Sequence, residues 1–101
     1  GKRDLLLEMA RLFLRDAPAL LDSLREAEEK ADVRTLERVA HRLVGSLGNF
    51  GATAAFDLAR TLEEMARRND LASAARVRGD LEHRVRGVLT GLANLRKEFG
   101  A

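Results

Sequence analysis

Leucine and alanine recur every three or four residues through almost the whole chain, and this spacing most limits what the chain can fold into. A period near 3.6 residues places side chains on one face of an α-helix, whereas a strand needs alternation at every second residue. β-branched residues, which favour strands, are scarce. The 101 residues suffice for one core but not for two. We therefore expect an all-α protein that forms a single helical bundle domain over residues 1–101.

The first part of the pattern predicts two short helices. One is expected from Asp4 to about Asp16, with an apolar stripe that starts at Leu5. Pro18 then breaks or kinks the chain, because its ring clashes with the preceding helical turn. A second helix follows to about Lys30. An uninterrupted, kinked helix through Pro18 is the alternative.

Three longer helices are expected after this region, with the bounds 33–50, 53–68 and 71–99. Asp32 is a suitable N-cap for the first of them, and Gly51 ends it. The connections are short, so neighbouring helices should be antiparallel. The predicted fold is an antiparallel up-down four-helix bundle with an additional N-terminal helix.

Composition limits the classes of partner. The formal net charge is +2, with acidic and basic residues interleaved along the chain. Few aromatic side chains can stack on bases, so an acidic protein surface is a better-supported partner than nucleic acid. No apolar run approaches the roughly 20 residues of a membrane span, so we expect no membrane contact by this domain.

Two further features bear on the origin of the chain. It contains no cysteine, which excludes disulfides and is compatible with a reducing compartment, and we expect a cytoplasmic location. It begins with Gly1 instead of Met. We interpret this as a domain cut from a longer protein or as a residue left by cloning.

One histidine is predicted to stand on the solvent side of the central helix. At about 100° per residue, His41 points roughly 140° away from the centre of the apolar stripe. Gly45 and Gly48 follow on the same face, although a glycine inside a helix costs about 1 kcal/mol relative to alanine. This clearance would admit another protein's surface beside the imidazole. A neutral imidazole is a nucleophile. With no cysteine and no second histidine nearby, a usual zinc site is excluded.

The residues around His41 also form a motif. It resembles the signature A-H-x-L-K-G-S-x-x-x-x-G-A of histidine-containing phosphotransfer (HPt) domains, and the matching residues are His41-Arg42-Leu43-Val44-Gly45-Ser46 and Asn49-Phe50-Gly51-Ala52. The stretches 16–24, 58–64 and 69–71 are similar to other helices and turns of the family. The resemblance therefore covers most of the chain. The family's usual lysine, three residues after the histidine, is Val44 here.

The resemblance implies a phosphorelay role in a bacterial two-component system. His41 would accept a phosphoryl group, on Nε2, from an aspartyl phosphate of a response-regulator receiver domain and pass it to another receiver. The receiver would supply Mg²⁺, and this chain would need no cofactor or metal of its own. No G-x-x-x-x-G-K-[ST] loop is present, so the chain is not expected to be a kinase by itself. A hybrid sensor histidine kinase is a further expected partner, and the isolated domain is expected to be a monomer.

Three alternatives remain open at this point. The chain would also suit the histidine-bearing domain of a chemotaxis-type kinase, which an ATP-binding domain of the same protein phosphorylates. It would suit a non-catalytic HPt-like adaptor that binds a receiver domain, because Val44 replaces the lysine. An unrelated helical interaction module is the third alternative.

A group of residues around His41 is predicted to bind the phosphoryl group or the receiver. Arg38 lies one turn earlier on the same arc, and we expect it to pair with phosphoryl oxygens in place of the missing lysine. The other expected docking residues are Arg34, Glu37, Arg42, Val44, Gly45 and Gly48.

We expect structural roles, and no chemistry, for several other charged residues, glycines and a second histidine. Glu63 and Glu64 are interpreted as ion-paired, solvated surface carboxylates. Gly87 and Gly91 lie one turn apart in the last helix, which indicates close helix packing. His83 is interpreted as an ordinary surface histidine.

Overall fold

Four helices account for most of the chain. The computed structural model describes residues 1–99. The helices are α1 (Lys2–Glu29), α2 (Val33–Gly48), α3 (Thr53–Arg67) and α4 (Leu71–Glu98), and this part of the chain contains no strand. The expected all-α class is confirmed. None of the described helices is both long and apolar enough to cross a membrane.

The three connections between helices each contain one residue in the left-handed region. Ala31 has φ 54°, Gly51 has φ 63° and Asn69 has φ 59°. Glycine takes this conformation without strain, and asparagine tolerates it better than most residues do. A left-handed residue cannot continue a right-handed helix, so these positions fix where each helix stops. Helix α2 ends at Gly48, two residues before the predicted end at residue 50.

Aspartate side chains begin two of the helices. Asp32 accepts a hydrogen bond from the backbone N–H of Thr35 at 3.2 Å and a second one from its hydroxyl at 2.6 Å. Asp70 accepts from the backbone N–H of Ser73 at 3.3 Å. Such caps satisfy amide groups that have no partner within the helix. The predicted N-cap at Asp32 is confirmed.

The predicted break at Pro18 does not occur, and there is no separate N-terminal helix. Helix α1 runs through Pro18 without interruption, as the alternative interpretation allowed. Proline within a helix removes one hydrogen bond and costs about 3 kcal/mol. Pro18 lies on the exposed side, where water can bond the carbonyl that loses its amide partner. Ala17 and Leu21 on either side are buried, and burial of a leucine contributes about 1.5–3 kcal/mol. Core packing thus holds the two halves of α1 in one helix.

The helices pack in a closed ring. Helix α1 contacts α2 and α4, and α3 contacts the same two helices. Short connections make consecutive helices antiparallel, which gives the predicted up-down bundle. The largest fully buried side chains fill its centre: Leu21, Leu24, Leu36, Leu43, Leu47, Leu62, Leu81 and Val85.

The molecule is elongated, with extents of 43 × 18 × 18 Å. Helices α1 and α4 have 28 residues each, whereas α2 has 16 and α3 has 15. At 1.5 Å per residue, the two long helices therefore extend beyond the α2–α3 hairpin. At this end Leu5 is 61% exposed and Phe99 is 44% exposed, so the predicted place of Leu5 in the apolar stripe is wrong. The shorter helices do not reach far enough to cover them.

Candidate functional site

Helix α2 presents His41 to solvent. The neighbouring Ala40 and Leu43 are fully buried, because they lie on the side of the helix that faces the core. The His41 side chain is 72% exposed. A Cβ built on Gly45, one turn later, would meet no atom within 4 Å. The predicted exposure of His41 and the open space beside it are confirmed.

A carboxylate from the next helix fixes the imidazole ring. His41 Nδ1 lies 2.6 Å from Oε2 of Glu63 on α3. The Glu63 side chain is only 14% exposed. An ionised carboxylate can only accept, so Nδ1 carries the hydrogen and donates it to Glu63. In the neutral ring, the other nitrogen, Nε2, then keeps its lone pair. The pair therefore holds the ring in the tautomer whose free nitrogen is Nε2.

Arg67 ties Glu63 into a network that spans α2 and α3. It donates from Nη2 to Glu63 Oε2 at 3.4 Å and from Nη1 to Glu64 Oε2 at 2.9 Å. Its Nε donates to Oε2 of Glu37 on α2 at 3.0 Å. Glu63 Oε2 thus accepts from both His41 and Arg67. Two fixed donors on one oxygen restrict the rotamer of Glu63, and so the orientation of His41.

The antiparallel register of α2 and α3 explains these pairings. Three contacts link the two helices at different levels: Glu37 with Arg67, His41 with Glu63, and Gly48 with Phe56. The two residue numbers of each pair add up to 104. In an antiparallel hairpin with a short turn, residues with a constant sum lie at the same level. Sequence analysis missed Glu63 as a partner of His41, although the position of the turn predicts that the two residues lie at the same level.

The three arginines predicted near the site lie on the exposed side of α2 but do not form one cluster. Arg34 and Arg38 are exposed, and Arg38 is close enough to Asp32 to affect it electrostatically. Arg42 instead borders a groove between α1 and α2, across from Asp16. The pKa of Asp16 is lowered mainly by its hydrogen bond with Arg15, and the charge of Arg42 lowers it further. Arg42 thus lies on the α1 flank, away from Glu63.

The remaining predicted docking residues differ in their surroundings. Val44 is half-buried and packs against the core. Gly48 is exposed, and the Phe56 ring lies 3.6 Å from where its Cβ would stand. Gly48 borders a shallow cleft of about 330 Å³ between α2 and α3, lined by Leu47, Gly48, Gly51, Ala52, Thr53, Phe56 and Asp57. The Arg60 guanidinium lies 5.8 Å from the Phe56 ring centre. A largely apolar cleft, with Asp57 in its lining and Arg60 beside Phe56, therefore lies about two turns from His41.

The structure bears out the ion pairing predicted for Glu63 and Glu64 but not the close packing predicted at Gly87 and Gly91. The ion pairing of Glu63 and Glu64 is confirmed through Arg67. The predicted solvation of Glu63 is wrong, because its side chain is only 14% exposed and contacts His41. Close packing does not explain Gly87 and Gly91, because a Cβ at either position would meet no atom within 4 Å. That interpretation is wrong.

Comparison with known proteins points to one family. No curated protein is significantly similar to the chain in sequence. The crystal structure of histidine-containing phosphotransfer protein B (HptB) from Pseudomonas aeruginosa PAO1 is similar to the chain, with a TM-score of 0.86 and 27% sequence identity. The match covers 91% of this chain and 80% of that one. The family model described as Hpt domain matches residues 8–96. Because that match spans most of the chain, the protein belongs to the Hpt domain family.

Proposed function

We propose that this domain is a phosphorelay phosphocarrier in which His41 is the residue that receives the phosphoryl group. The observation that carries the proposal is the pairing of His41 with Glu63, which leaves Nε2 free on an exposed helix face. The family match and the likeness to a histidine-containing phosphotransfer protein support the same role. His41 also stands in the stretch that resembles the family signature.

The chemistry needs only a positioned nucleophile from this chain. The Nε2 lone pair attacks phosphorus of an aspartyl phosphate on a receiver domain. An N–P bond forms while the P–O bond to the aspartate breaks, and the electron pair stays on the carboxylate. A second receiver removes the group by the reverse reaction. The receiver supplies Mg²⁺ and most of the stabilisation of charge, so the domain acts as a carrier without a nucleotide site or cofactor of its own.

The receiver is proposed to dock over the open face of α2. Gly45 leaves room beside the imidazole, and the cleft next to Gly48 offers apolar surface about 10 Å along the helix. Arg34 and Arg38 lie exposed on α2 and would face acidic groups of a receiver's phosphorylation site. Val44 would contribute apolar contact and no charge. The cation that the motif usually carries at this position would therefore come from Arg38 or from the partner.

A two-receiver relay tests the proposal. One receiver is phosphorylated with labelled phosphate, and the appearance of label on a second receiver is followed with and without this domain. His41→Gln should abolish the relay, while His83→Gln on α4 should leave it unchanged, because His83 is also exposed but stands outside the Glu63 network. Relay that persists through the His41 variant would overturn the assignment.

The oligomeric state and location complete the proposal. We expect a cytoplasmic monomer that meets receivers and a hybrid sensor histidine kinase one at a time. In the described part of the chain, Leu5 and Phe99 are the only large apolar side chains that are strongly exposed, which leaves little surface for a stable dimer. Light scattering at micromolar concentration should give the mass of one chain, and a stable dimer would contradict this.

A further inference from the structure

We propose that phosphorylated His41 retains its Nδ1 proton, bound to Glu63, so that the phosphoryl group enters and leaves without any proton transfer. This inference rests on the proposed function and deepens it. It concerns which form of phosphohistidine the domain holds, and it follows from the surroundings of the nitrogen that does not react.

The acceptor for the Nδ1 proton is built into the bundle. Glu63 Oε2 lies 2.6 Å from Nδ1, on a side chain that is 14% exposed. Arg67 donates to the same oxygen from the next turn of α3. Arg67 is itself held across the helix pair by Glu37. The carboxylate is therefore positioned before phosphorylation, and its position does not depend on the receiver.

The bonds formed and broken require no proton to move. Before transfer, Nδ1 carries the hydrogen and Nε2 carries the lone pair. When Nε2 forms the N–P bond, the aspartate oxygen leaves with the P–O electron pair. Nε2 has no proton to lose, so the product is a phosphorylated imidazolium ring whose positive charge faces the Glu63 carboxylate. A nearby negative charge favours the charged form of the ring.

Phosphohistidine with a protonated Nδ1 suits a carrier that must pass its phosphoryl group on. In the next transfer, the electron pair of the N–P bond returns to a ring that already carries a positive charge. A protonated ring is a better leaving group than a neutral one, because it departs as neutral imidazole. Glu63 therefore acts as a positioning residue that holds the proton in place during both transfers. The phosphoryl group itself contacts Nε2, on the opposite side of the ring.

Charged groups around His41 come from each helix that packs beside it. Helix α3 contributes Glu63 with Arg67, and Glu64 reaches the site only through Arg67. On α2 itself, Glu37, Arg38 and Arg42 are the nearest charged neighbours in sequence. Helix α1 contributes Asp16, which faces Arg42 on the far flank. Within the described residues, only Glu63 among these groups has a hydrogen bond with the ring.

Nitrogen NMR of the phosphorylated domain tests the inference. The domain is labelled with ¹⁵N-histidine and phosphorylated by a receiver, and the Nδ1 shift of His41 is followed from about pH 6 to about pH 9. His83 in the same sample is the internal reference. We expect phosphorylated His41 to show a protonated Nδ1 near pH 8. In Glu63→Gln, Nδ1 should lose its proton in this range, because a neutral amide stabilises the imidazolium less than a carboxylate does. Glu29→Gln removes the same charge at an exposed position of α1, outside the Glu63–Arg67 network, and should resemble wild type.

The lifetime of the phosphorylated state gives a second readout. With the protonated ring as leaving group, spontaneous hydrolysis in the wild type should change little over this pH range. The Glu63→Gln variant should hydrolyse roughly tenfold more slowly near pH 8, a modest effect for loss of proton control. A wild-type phosphohistidine that lacks the Nδ1 proton near pH 8 would overturn the inference, and so would a Glu63→Gln variant with wild-type shifts and lifetime. Failure of His41 to become phosphorylated at all would instead refute the proposed function.

Discussion

At the scale of single residues, the candidate site depends on Gly45, which has no side chain, and on Glu63, which is distant from His41 in the sequence. Gly45 forgoes helix stability, yet nothing in the bundle requires the space, since a Cβ there would meet no atom within 4 Å. The exposure of His41 followed from helical periodicity, which is a local property. Its partner Glu63 lies 22 residues away on another helix, so it became evident only once the two helices were in register.

Substitution of Gly45 should move stability and function in opposite directions. Gly45→Ala should raise the free energy of unfolding by up to about 1 kcal/mol, because alanine favours helix and no atom obstructs its Cβ. Gly45→Leu should slow transfer from a phosphorylated receiver by roughly tenfold or more, since it fills the open face beside His41. Denaturant unfolding and labelled phosphotransfer measure the two effects.

Gly87 on α4 provides the matched control. It is also helical, exposed and open, so Gly87→Ala should give a similar gain in stability, while Gly87→Leu should leave transfer unchanged. Transfer at the wild-type rate in Gly45→Leu would mean that the receiver does not dock over this face.

At the scale of helices, core packing outweighs the tendency of Pro18 to break a helix. Pro18 predicted a break, but buried neighbours on both sides keep α1 continuous. Helix starts at Asp32 and Asp70 were predictable, because a cap is decided by a few adjacent residues. The ion pairs that join α1 to α4 were not predictable, since they link residues 50 and 57 positions apart.

Glu82 on α4 is the centre of these ion pairs. It accepts hydrogen bonds from Arg25 of α1 at 2.8 Å, from Arg86 at 3.0 Å and from Arg78 at 3.1 Å. Arg78 also pairs with Glu28 of α1. The hydrogen bond from Arg25 is the main reason that the pKa of Glu82 is lowered, and Arg86 adds to it. The side chain is only 17% exposed, so solvent screens the network incompletely.

Removing this charge should destabilise the bundle in a pH-dependent way. A lowered pKa in the folded state means that Glu82 stabilises the fold above its ordinary pKa of about 4.3, and that this contribution disappears as the pH falls through the folded-state value. Glu82→Gln should therefore lower the free energy of unfolding by roughly 1 kcal/mol at neutral pH, with the difference from wild type shrinking in acid. Denaturant unfolding at several pH values measures this. Asp80→Asn, an exposed change on the same helix, is the control. If Glu82→Gln lowered the free energy of unfolding by the same amount at all pH values, the electrostatic explanation would be refuted.

At the scale of the whole molecule, the bundle holds the His41 ring in place without enclosing it. The α2–α3 hairpin brings His41, Glu63, Glu37 and Arg67 to one exposed face, while α1 and α4 complete the core behind them. Periodicity and short turns were enough to predict the class, the last three helices and the face that carries His41. The uncovered end with Leu5 and Phe99 could not be predicted, because it depends on the unequal lengths of the helices. An open site of this kind suits chemistry that is completed by a partner.

The most direct test of the account is to locate the phosphoryl group itself. The domain is phosphorylated by a receiver, kept at neutral to alkaline pH, and fragmented in the gas phase under conditions that preserve the N–P bond. We expect the added mass on His41 and none on His83, with the acid lability expected of phosphohistidine. A phosphoryl group on any other residue, or no stoichiometric label on the wild-type domain, would contradict it.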